Sequence, residues 1–453
     1  MVAIVDRAVS AYRKEYEENP VLTLFLTIII SFFIMFVVSV VLTGGDTAVK
    51  ILFSGLHQTG LSDDRLMDFF NSIMHSSDHP YTQHQVIYPP LATTFYTVIG
   101  HFIIPYADAL PGPMYALGLR DSQMGMMVFS VITLLTFYAL YLIFSKALKH
   151  RGARKNLVFP FVILLGYPFI YALERGNNII LALIFCFLFL LGYGSENKFI
   201  RYASYVALGI AAGFKIYPAI LMLLIARDRK RTGRRYAYKE TGICISVVML
   251  LMFVPFIFTD GTPLIFIENV LYYTGSNLGF TNINQIIMGT FQEYLGWPGD
   301  IVSAISYTVI GAFTLLSVIV ILFDTEMKFW KVIALLSCNL ILGLGAGAQY
   351  QIIYMAMPIL FFLAAEKEMT RENLFYTLCF AMTVVLIPGI YVARIHPPIA
   401  YGAIVETVFV IAVTIMLLRE GLLRICRNRY GGQRGVECVS DGLTSSDGAS
   451  EGN

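Results

Sequence analysis

Residues 21–42 read VLTLFLTIIISFFIMFVVSVVL. None of these 22 residues is charged. As a helix they rise about 33 Å, enough to cross a hydrocarbon core of roughly 30 Å. Lipid offers no partner for an open backbone, so a run of this length and composition reads as a transmembrane helix. Runs of similar character recur along most of the chain. Of its 453 residues, 57% are apolar and 14% charged, whereas a soluble domain carries about 25% charged residues. The class is an all-α polytopic membrane protein. A membrane barrel is excluded, because the apolar runs are long and continuous and do not alternate over segments of about ten residues.

Outward from this run, residues 1–20 are polar and mixed in charge and are expected as a cytoplasmic N-terminus. The run itself is too long for a signal h-region and lacks a small-residue cleavage site, so it is expected to stay as an anchor. On its other side lies Asp46–Pro90, DTAVKILFSGLHQTGLSDDRLMDFFNSIMHSSDHPYTQHQVIYPP. It holds five aspartates (Asp46, Asp63, Asp64, Asp68, Asp78) and four histidines (His57, His75, His79, His84) and closes on Tyr88-Pro89-Pro90. The expectation is an outer loop over 44–88 that carries the chemistry above a bowl of membrane helices.

Further apolar stretches follow at 125–144, 157–173, 179–192, 202–225, 241–258, 301–323, 332–346, 350–365, 374–391 and 401–418, while 88–106 can cross or dip. Four basic clusters, at 146–155, 198–201, 227–239 and 419–429, are expected on the cytoplasmic side. Parity then has two consequences. Between 201 and 227 the chain goes in and comes back, as two half-helices turning at Lys215–Pro218. Between the first loop and 125 it starts and finishes outside, so 88–123 is re-entrant or interfacial. The competing arrangement makes both stretches single crossings and places 146–155 outside, against the charge rule. Pro218 favours the break because it removes a backbone donor, and irregular backbone at membrane depth is tolerated where it lines a wet cavity. A second outer loop is expected at 259–300, with Asn282-Ile283-Asn284-Gln285, and a disordered cytoplasmic tail over 431–453. Residues 21–430 then form one transmembrane domain.

The net charge of +2 leaves no nucleic-acid footprint. The six cysteines form no CxxC and lie mostly inside apolar runs, as small buried hydrophobes do.

On this topology one face collects the first loop, Glu174–Asn178, Lys215, Asn282–Gln285, Gln349 and Arg394–His396. Ionisable groups in a membrane are costly and usually functional. Asp68, in Leu66-Met67-Asp68-Phe69-Phe70, reads as a general base for a sugar hydroxyl or as a solvated loop aspartate. Asp46, after Thr43-Gly44-Gly45, is the second candidate, or a helix-end polar residue. Asp63 and Asp64 read as the N-terminal cap of a short amphipathic helix through Asp68. Lys215 needs an anionic partner, either a bound phosphate or a structural pair with Glu174. Arg175 can complete such a pair or bind phosphate bidentately. Asn177 and Asn178 can bond sugar hydroxyls or cap a helix. Arg394 and His396 read as phosphate and sugar contacts at the outer end of a span, or, for Arg394, as interface snorkelling. His75 and His79 are an i, i+4 pair, but Pro80 follows and no zincin motif is completed, so no metal is assigned.

The order of motifs resembles a known family. An aspartate in the first outer loop precedes Tyr88-Pro89-Pro90-Leu91-Ala92. Then come Glu174-Arg175-Gly176-Asn177-Asn178 between two spans, Gly213-Phe214-Lys215-Ile216-Tyr217-Pro218, and a basic loop. From about residue 20 to 365 the chain resembles glycosyltransferase family 87, whose members are polyprenol-phosphate-sugar-dependent transferases of the GT-C superfamily. The family commonly has Gly-Gln-x-Asn where this chain has Gly176-Asn177-Asn178. The resemblance implies a GT-C-type bundle of about 11–13 transmembrane helices with a catalytic first outer loop and broken or re-entrant helices. It implies inverting transfer of a hexose, mannose first, from a polyprenyl phosphate to a lipid or glycan hydroxyl on the outer face. Asp68 would deprotonate the acceptor, with Asp46 second. Lys215 and Arg175 would hold the leaving phosphate. Glu174, Asn177, Asn178, Tyr88 and Tyr217 would contact sugar or acceptor. The family's late region is variable, so Arg394 and His396 keep the phosphate and sugar readings of their own position and are not carried over from the resemblance. No cofactor is called for; the partners are the donor, the acceptor and membrane lipids.

Two other classes compete. A polyprenyl-linked glycan flippase or transporter predicts charges along several helix interiors and pseudo-symmetric halves, and no strong internal repeat is visible. An O-antigen-type polymerase or ligase leans on a large late loop with arginines, and 259–300 has none.

Overall fold

A computed structural model describes residues 2–43, 65–107, 115–148, 160, 162–228, 233–274, 281–343, 349–385 and 401–430. Among them every regular element is helical. Asp46, His57, Asp63, Asp64, Arg394, His396, the 431–453 tail and much of two basic clusters (149–155 and 229–231) lie outside the described residues.

Helices α1 (Val2–Glu18) and α2 (Pro20–Thr43) lead. Then come α3 (Met67–Ser77), α4 (Pro90–Ile103), α5 (Tyr115–Asp121) and α6 (Gln123–Ala147). The middle of the chain forms α7 (Tyr167–Arg175), α8 (Ile179–Gly192), α9 (Lys198–Phe214), α10 (Leu223–Arg227) and α11 (Arg234–Phe253). Next are α12 (Pro263–Thr274), α13 (Ile283–Ile287), α14 (Gly299–Phe323) and α15 (Phe329–Cys338). The chain closes with α16 (Ala356–Ala365), α17 (Arg371–Met382) and α18 (Tyr401–Tyr430).

Among the described residues four helical stretches are long and apolar enough to cross a membrane: Pro20–Leu42, Gln123–Ala147, Arg234–Phe258 and Gly299–Phe323. They expose large apolar side chains such as Leu42, Leu134, Leu250 and Leu315. Apolar surface on that scale needs lipid against it.

Several expected spans are instead short or broken. The 157–173 stretch breaks at Gly166. There the Tyr167 amide donates to the Val384 carbonyl at 3.1 Å, and a Cβ on Gly166 would sit 2.3 Å from Val384 Cγ1. Pro168 then opens α7 in its first turn, where a missing N–H does no harm. The 332–346 stretch passes from α15 into a π-helical turn at Asn339–Gly343, and 350–365 starts as a 3-10 helix over Gln349–Met355. The expected loop at 259–300 is largely helical, holding α12, α13 and a π turn over Met288–Tyr294. Helix α11 begins at Arg234 and not at Thr241, so Arg234, Arg235 and Lys239 belong to its first turns. Helix α18 continues past Leu418 to Tyr430, and its arginines lie on the helix. The N-cap of α3 is Leu66, at φ 63, in place of the aspartates expected to cap it.

Contacts sort the chain ends of these helices into two groups. At one end Arg201 on α9 meets Glu240 on α11, and Arg227 on α10 donates to the Met327 carbonyl at 2.7 Å. Lys331 on α15 pairs there with Glu420 on α18 at 2.6 Å and also with Glu372 on α17. At the other end α3 joins α7, and Tyr81 packs on Phe256 at the far end of the long α11 stretch. The first end carries the described basic residues of the clusters, and the second carries the described part of the first loop, Glu174–Asn178 and Lys215.

The chain reverses at Lys215–Pro218. Arg201 near the start of α9 and Asp228 after α10 line one cavity, so α9 climbs away from that end and 217–227 returns to it. Residues 65–125 start and finish at the opposite end. The Leu66 amide donates to the Glu174 carbonyl at 2.6 Å, and Gly125 lies against the Phe70 ring. Between them α4 runs antiparallel to α3, with the Thr97 hydroxyl on the Ser76 carbonyl at 2.8 Å.

Candidate functional site

The site forms where α3, α7, the head of α8 and the break after α9 meet. Asp68 lies in the first turn of α3. Facing it, α7 ends at Arg175 and turns through Gly176, which holds φ +67. A Cβ there would fall 2.9 Å from Phe69 Cβ and 3.0 Å from the Leu66 carbonyl oxygen. Glycine supplies both the left-handed turn and the room that lets α3 close on α7.

That approach joins Asp68 to Arg175. The guanidinium Nη2 pairs with Asp68 Oδ1. Asn177 Nδ2 donates to Asp68 Oδ2 at 2.7 Å, and its own Oδ1 accepts the Ile179 amide at 3.0 Å. Asn177 therefore caps a helix and holds a carboxylate at once. With both oxygens taken by donors, Asp68 is an oriented anion; it is not a solvated loop residue. Asn178 occupies the N-cap position of α8, but its side chain caps nothing and is buried beside the Tyr96 hydroxyl.

Lys215 ends α9 in extended backbone, φ −147 and ψ 124. Its ammonium sits 4.5 Å from the centre of the Tyr88 ring and 5.8 Å from that of Tyr350. Only 8% of the residue is exposed. Among the described residues Lys215 makes no ion pair, so the expected alternative of a structural pair with Glu174 is not realised; the carboxylate within its electrostatic reach is Asp68. Cation–π contact offsets part of the desolvation of an ammonium. Tyr171 stacks on Tyr350 with ring centres 6.3 Å apart and lies one turn before Arg175, so the tyrosines frame both cations.

The structure thus brings together Asp68, Arg175, Asn177, Asn178, Lys215 and Tyr88, and Glu174 joins them through its backbone carbonyl, which accepts the Leu66 amide. Tyr217 departs from expectation: it packs edge-on against Tyr354 at 5.8 Å, in the core behind the break. Tyr217 and Pro218 open the 3-10 turn over Tyr217–Met222, and the ring joins the main apolar core. Tyr96, Tyr171 and Tyr350 belong to the site and escaped the sequence reading. Tyr171 was reachable, since i and i+4 share a helix face; Tyr350 is brought in by a contact no local pattern announces.

Tyr88-Pro89-Pro90 places Pro89 at the N-cap and Pro90 at the first position of α4. The loop before it is tied down. Tyr81 donates to the Tyr88 carbonyl at 2.8 Å, and Asp260 accepts the Tyr81 and Thr82 amides at 3.3 Å each. Burial opposes ionisation of Asp260, but the Thr82 hydroxyl and these amides hold its carboxyl below the usual range. His75 stacks on His84 at 5.0 Å, and His79 lies beside Asp78 and Asp260. Among the described residues no three His, Cys, Asp or Glu side chains cluster as metal ligands would.

An apolar cleft opens beside the polar group. Asn177 and Asn178 stand at its head, and Phe129, Ile132 and Phe137 of α6 line its side.

The model of the family described as Glycosyltransferase family 87 matches residues 86–344, more than half of the chain. The segment includes Tyr88, Arg175, Asn177 and Lys215 and begins after Asp68. No curated protein and no solved structure matches the chain.

Proposed function

The chain belongs to glycosyltransferase family 87 and is a membrane glycosyltransferase, and from that premise we propose that it moves a hexose, mannose first, from a polyprenyl phosphate to a hydroxyl of a lipid or glycan acceptor on the outer face. The observation that carries the reading is the meeting of one oriented carboxylate, Asp68, with two cations, Arg175 and Lys215, beside an apolar cleft.

In the proposed step the acceptor oxygen attacks the anomeric carbon from the face opposite the phosphate. The bond from that carbon to the phosphate oxygen breaks, and the configuration inverts. The acceptor proton passes to Asp68, and the polyprenyl phosphate leaves with the electron pair. Charge on the leaving phosphate grows in the transition state, where Lys215 and Arg175 stabilise it. Arg175 is shared: it pairs with Asp68, and the donor phosphate competes for it. Donor binding then loosens the guanidinium's hold on Asp68 and leaves that carboxylate oxygen open to the acceptor hydroxyl. Asn177 keeps the carboxylate aimed throughout. The apolar cleft along α6 suits the first isoprene units, and Tyr88, Asn178 and Glu174 suit the sugar. Asp46, Arg394 and His396 remain the second base, a further phosphate contact and a further sugar contact in this reading.

The test is transfer from labelled polyprenyl-phosphate mannose by the purified protein. Product with wild type and none with Asp68→Ala supports the reading; undiminished product with Asp68→Ala removes Asp68 as the base. For orientation, a cysteine at exposed Gln83 should react with an impermeant reagent from outside the cell and one at Lys198 should not.

A further inference from the structure

Tyr88 reaches the site from the loop between α3 and α4. That loop is built around Tyr81, a residue with no part in the proposed transfer. Tyr81 is 1% exposed. Its ring packs on Phe256 with centres 5.3 Å apart and lies edge-on to Phe266 of α12 at 6.0 Å. The turn before α12 closes on it so tightly that a Cβ on Gly261 would fall 2.5 Å from Tyr81 Cδ2. The backbone around the ring is held as well. Asp260 accepts the Tyr81 and Thr82 amides. Asn269 of α12 donates to the Tyr81 carbonyl at 3.1 Å and to the Val86 carbonyl at 3.4 Å. His79 and Gln85 keep left-handed backbone, with φ 43 and φ 49. Such conformations persist in non-glycine residues where the surroundings over-determine them.

The hydroxyl of Tyr81 acts at the far end of the same loop. It donates to the Tyr88 carbonyl at 2.8 Å. The Thr93 hydroxyl, in the first turn of α4, lies 3.0 Å from the same oxygen. One phenol thus fixes the backbone of Tyr88 and ties it to α4. The Tyr88 ring is the one whose centre lies 4.5 Å from the Lys215 ammonium. Phenylalanine would fill the same space among Phe256, Phe266 and Gly261. What the hydroxyl adds is a fixed position for Tyr88.

We propose that Tyr81 is a positioning residue for the transfer. Its hydroxyl fixes Tyr88, the Tyr88 ring holds the Lys215 ammonium in place, and Asp260 and Asn269 seat Tyr81 from the segment that runs into α12. The proposal rests on the reading of Lys215 as a ligand of the donor phosphate. The effect falls on the transition state, where charge on that phosphate grows and a small misplacement of the ammonium is costly.

The test is a cycle of Tyr81→Phe and Lys215→Met in the purified full chain, with labelled polyprenyl-phosphate mannose as donor. Tyr81→Phe keeps the ring and its packing. Alone it should lower kcat/KM by about tenfold; in the Lys215→Met background it should lower it by less than about twofold. A hydroxyl with a merely structural role lowers transfer equally in both backgrounds, and that result overturns the proposal, as does wild-type transfer by Tyr81→Phe. A second readout needs no transfer. In protein labelled with carbon-13 at lysine Cε, the Lys215 methylene protons, assigned by their loss in Lys215→Met, carry the ring-current shift of the tyrosine beside them. Tyr88→Leu should move this signal downfield, and Tyr81→Phe should move it part of the way. A signal unmoved in Tyr81→Phe overturns the proposal. Transfer undiminished in Lys215→Met overturns the phosphate reading beneath it, and a Lys215 signal that still moves in Tyr81→Phe tells that failure apart from a failure of Tyr81.

Discussion

Lys331 and Lys215 are both buried lysines, at opposite ends of the same bundle. Lys331 is 2% exposed and holds Glu420 at 2.6 Å, with Glu372 closing on it as well. Glu420 passes the charge on to Arg424 at 3.0 Å, and Arg424 reaches Asp324 at 2.8 Å. Each charge there is answered by protein, and the chain of pairs ties α15, α17, α18 and the turn after α14 together. Lys215 is framed by tyrosine rings and makes no ion pair among the described residues. The contrast separates two uses of buried charge. A saturated network is a staple; a cation framed by rings is where the proposed function puts the phosphate of the donor.

The comparison can be broken, and the largest effect is expected at its acidic member. Asp68→Ala should lower transfer by about 10²–10⁴-fold, the usual weight of a general base, measured with labelled donor. Next, Lys215→Met should lower transfer by about 10²–10³-fold and leave the thermal midpoint in detergent unchanged or raised. A fall in both would make Lys215 a staple like Lys331. The mirror variant, Lys331→Met, should destabilise by up to about 3 kcal/mol, because it removes the partner of Glu372 and leaves Glu420 with Arg424 alone, with transfer per folded molecule retained. Glu372 is 45% exposed, which keeps the effect below that of a fully buried pair. Gly176→Ala should destabilise by about 1–2 kcal/mol for its left-handed backbone. It should also weaken transfer, since the added Cβ pushes Phe69 and Asp68 away from α7.

The smallest effect concerns acid. Burial, reinforced by the stacked His84, holds His75 below the ordinary imidazole range. Its folded pKa lies below the unfolded value near 6.5, so the unfolded chain takes the proton first. Stability is therefore full above that value and declines as pH falls below it. His75→Gln should flatten the decline in thermal midpoint between about pH 6.5 and 5. An unchanged slope would remove His75 as its source.

Much of the site was legible because its residues sit in short motifs with chemical meaning. Glu174–Asn178 announces a polar turn between two apolar runs, and Lys215 before Pro218 announces a break. Parity of the basic clusters required the chain to reverse there, and Arg201 and Asp228 now lie on one cavity. What was illegible is pairing. Lys215 had two readings in sequence, a pair with Glu174 or a phosphate; in the structure Arg175 answers Asp68 and Lys215 is left with Tyr88 and Tyr350. Tyr217 shares the Lys215 motif yet turns into the core. Helix lengths also misled. Gly166 and the π turn at Asn339–Gly343 interrupt stretches whose hydropathy is continuous, because hydropathy does not register a backbone contact such as Tyr167 to Val384.

By itself the sequence determined the solvent, the class and the family: uncharged runs long enough for lipid, basic clusters that sort the helix ends, and ordered motifs at the polar turns. These are local properties, carried by composition and spacing. Only the tertiary structure decided which charges answer one another. A carboxylate at 68 and a guanidinium at 175 meet because Gly176 lets two helices touch, and the same closure gives Asp68 to Arg175, so among the described residues Lys215 has tyrosine rings and no ion pair.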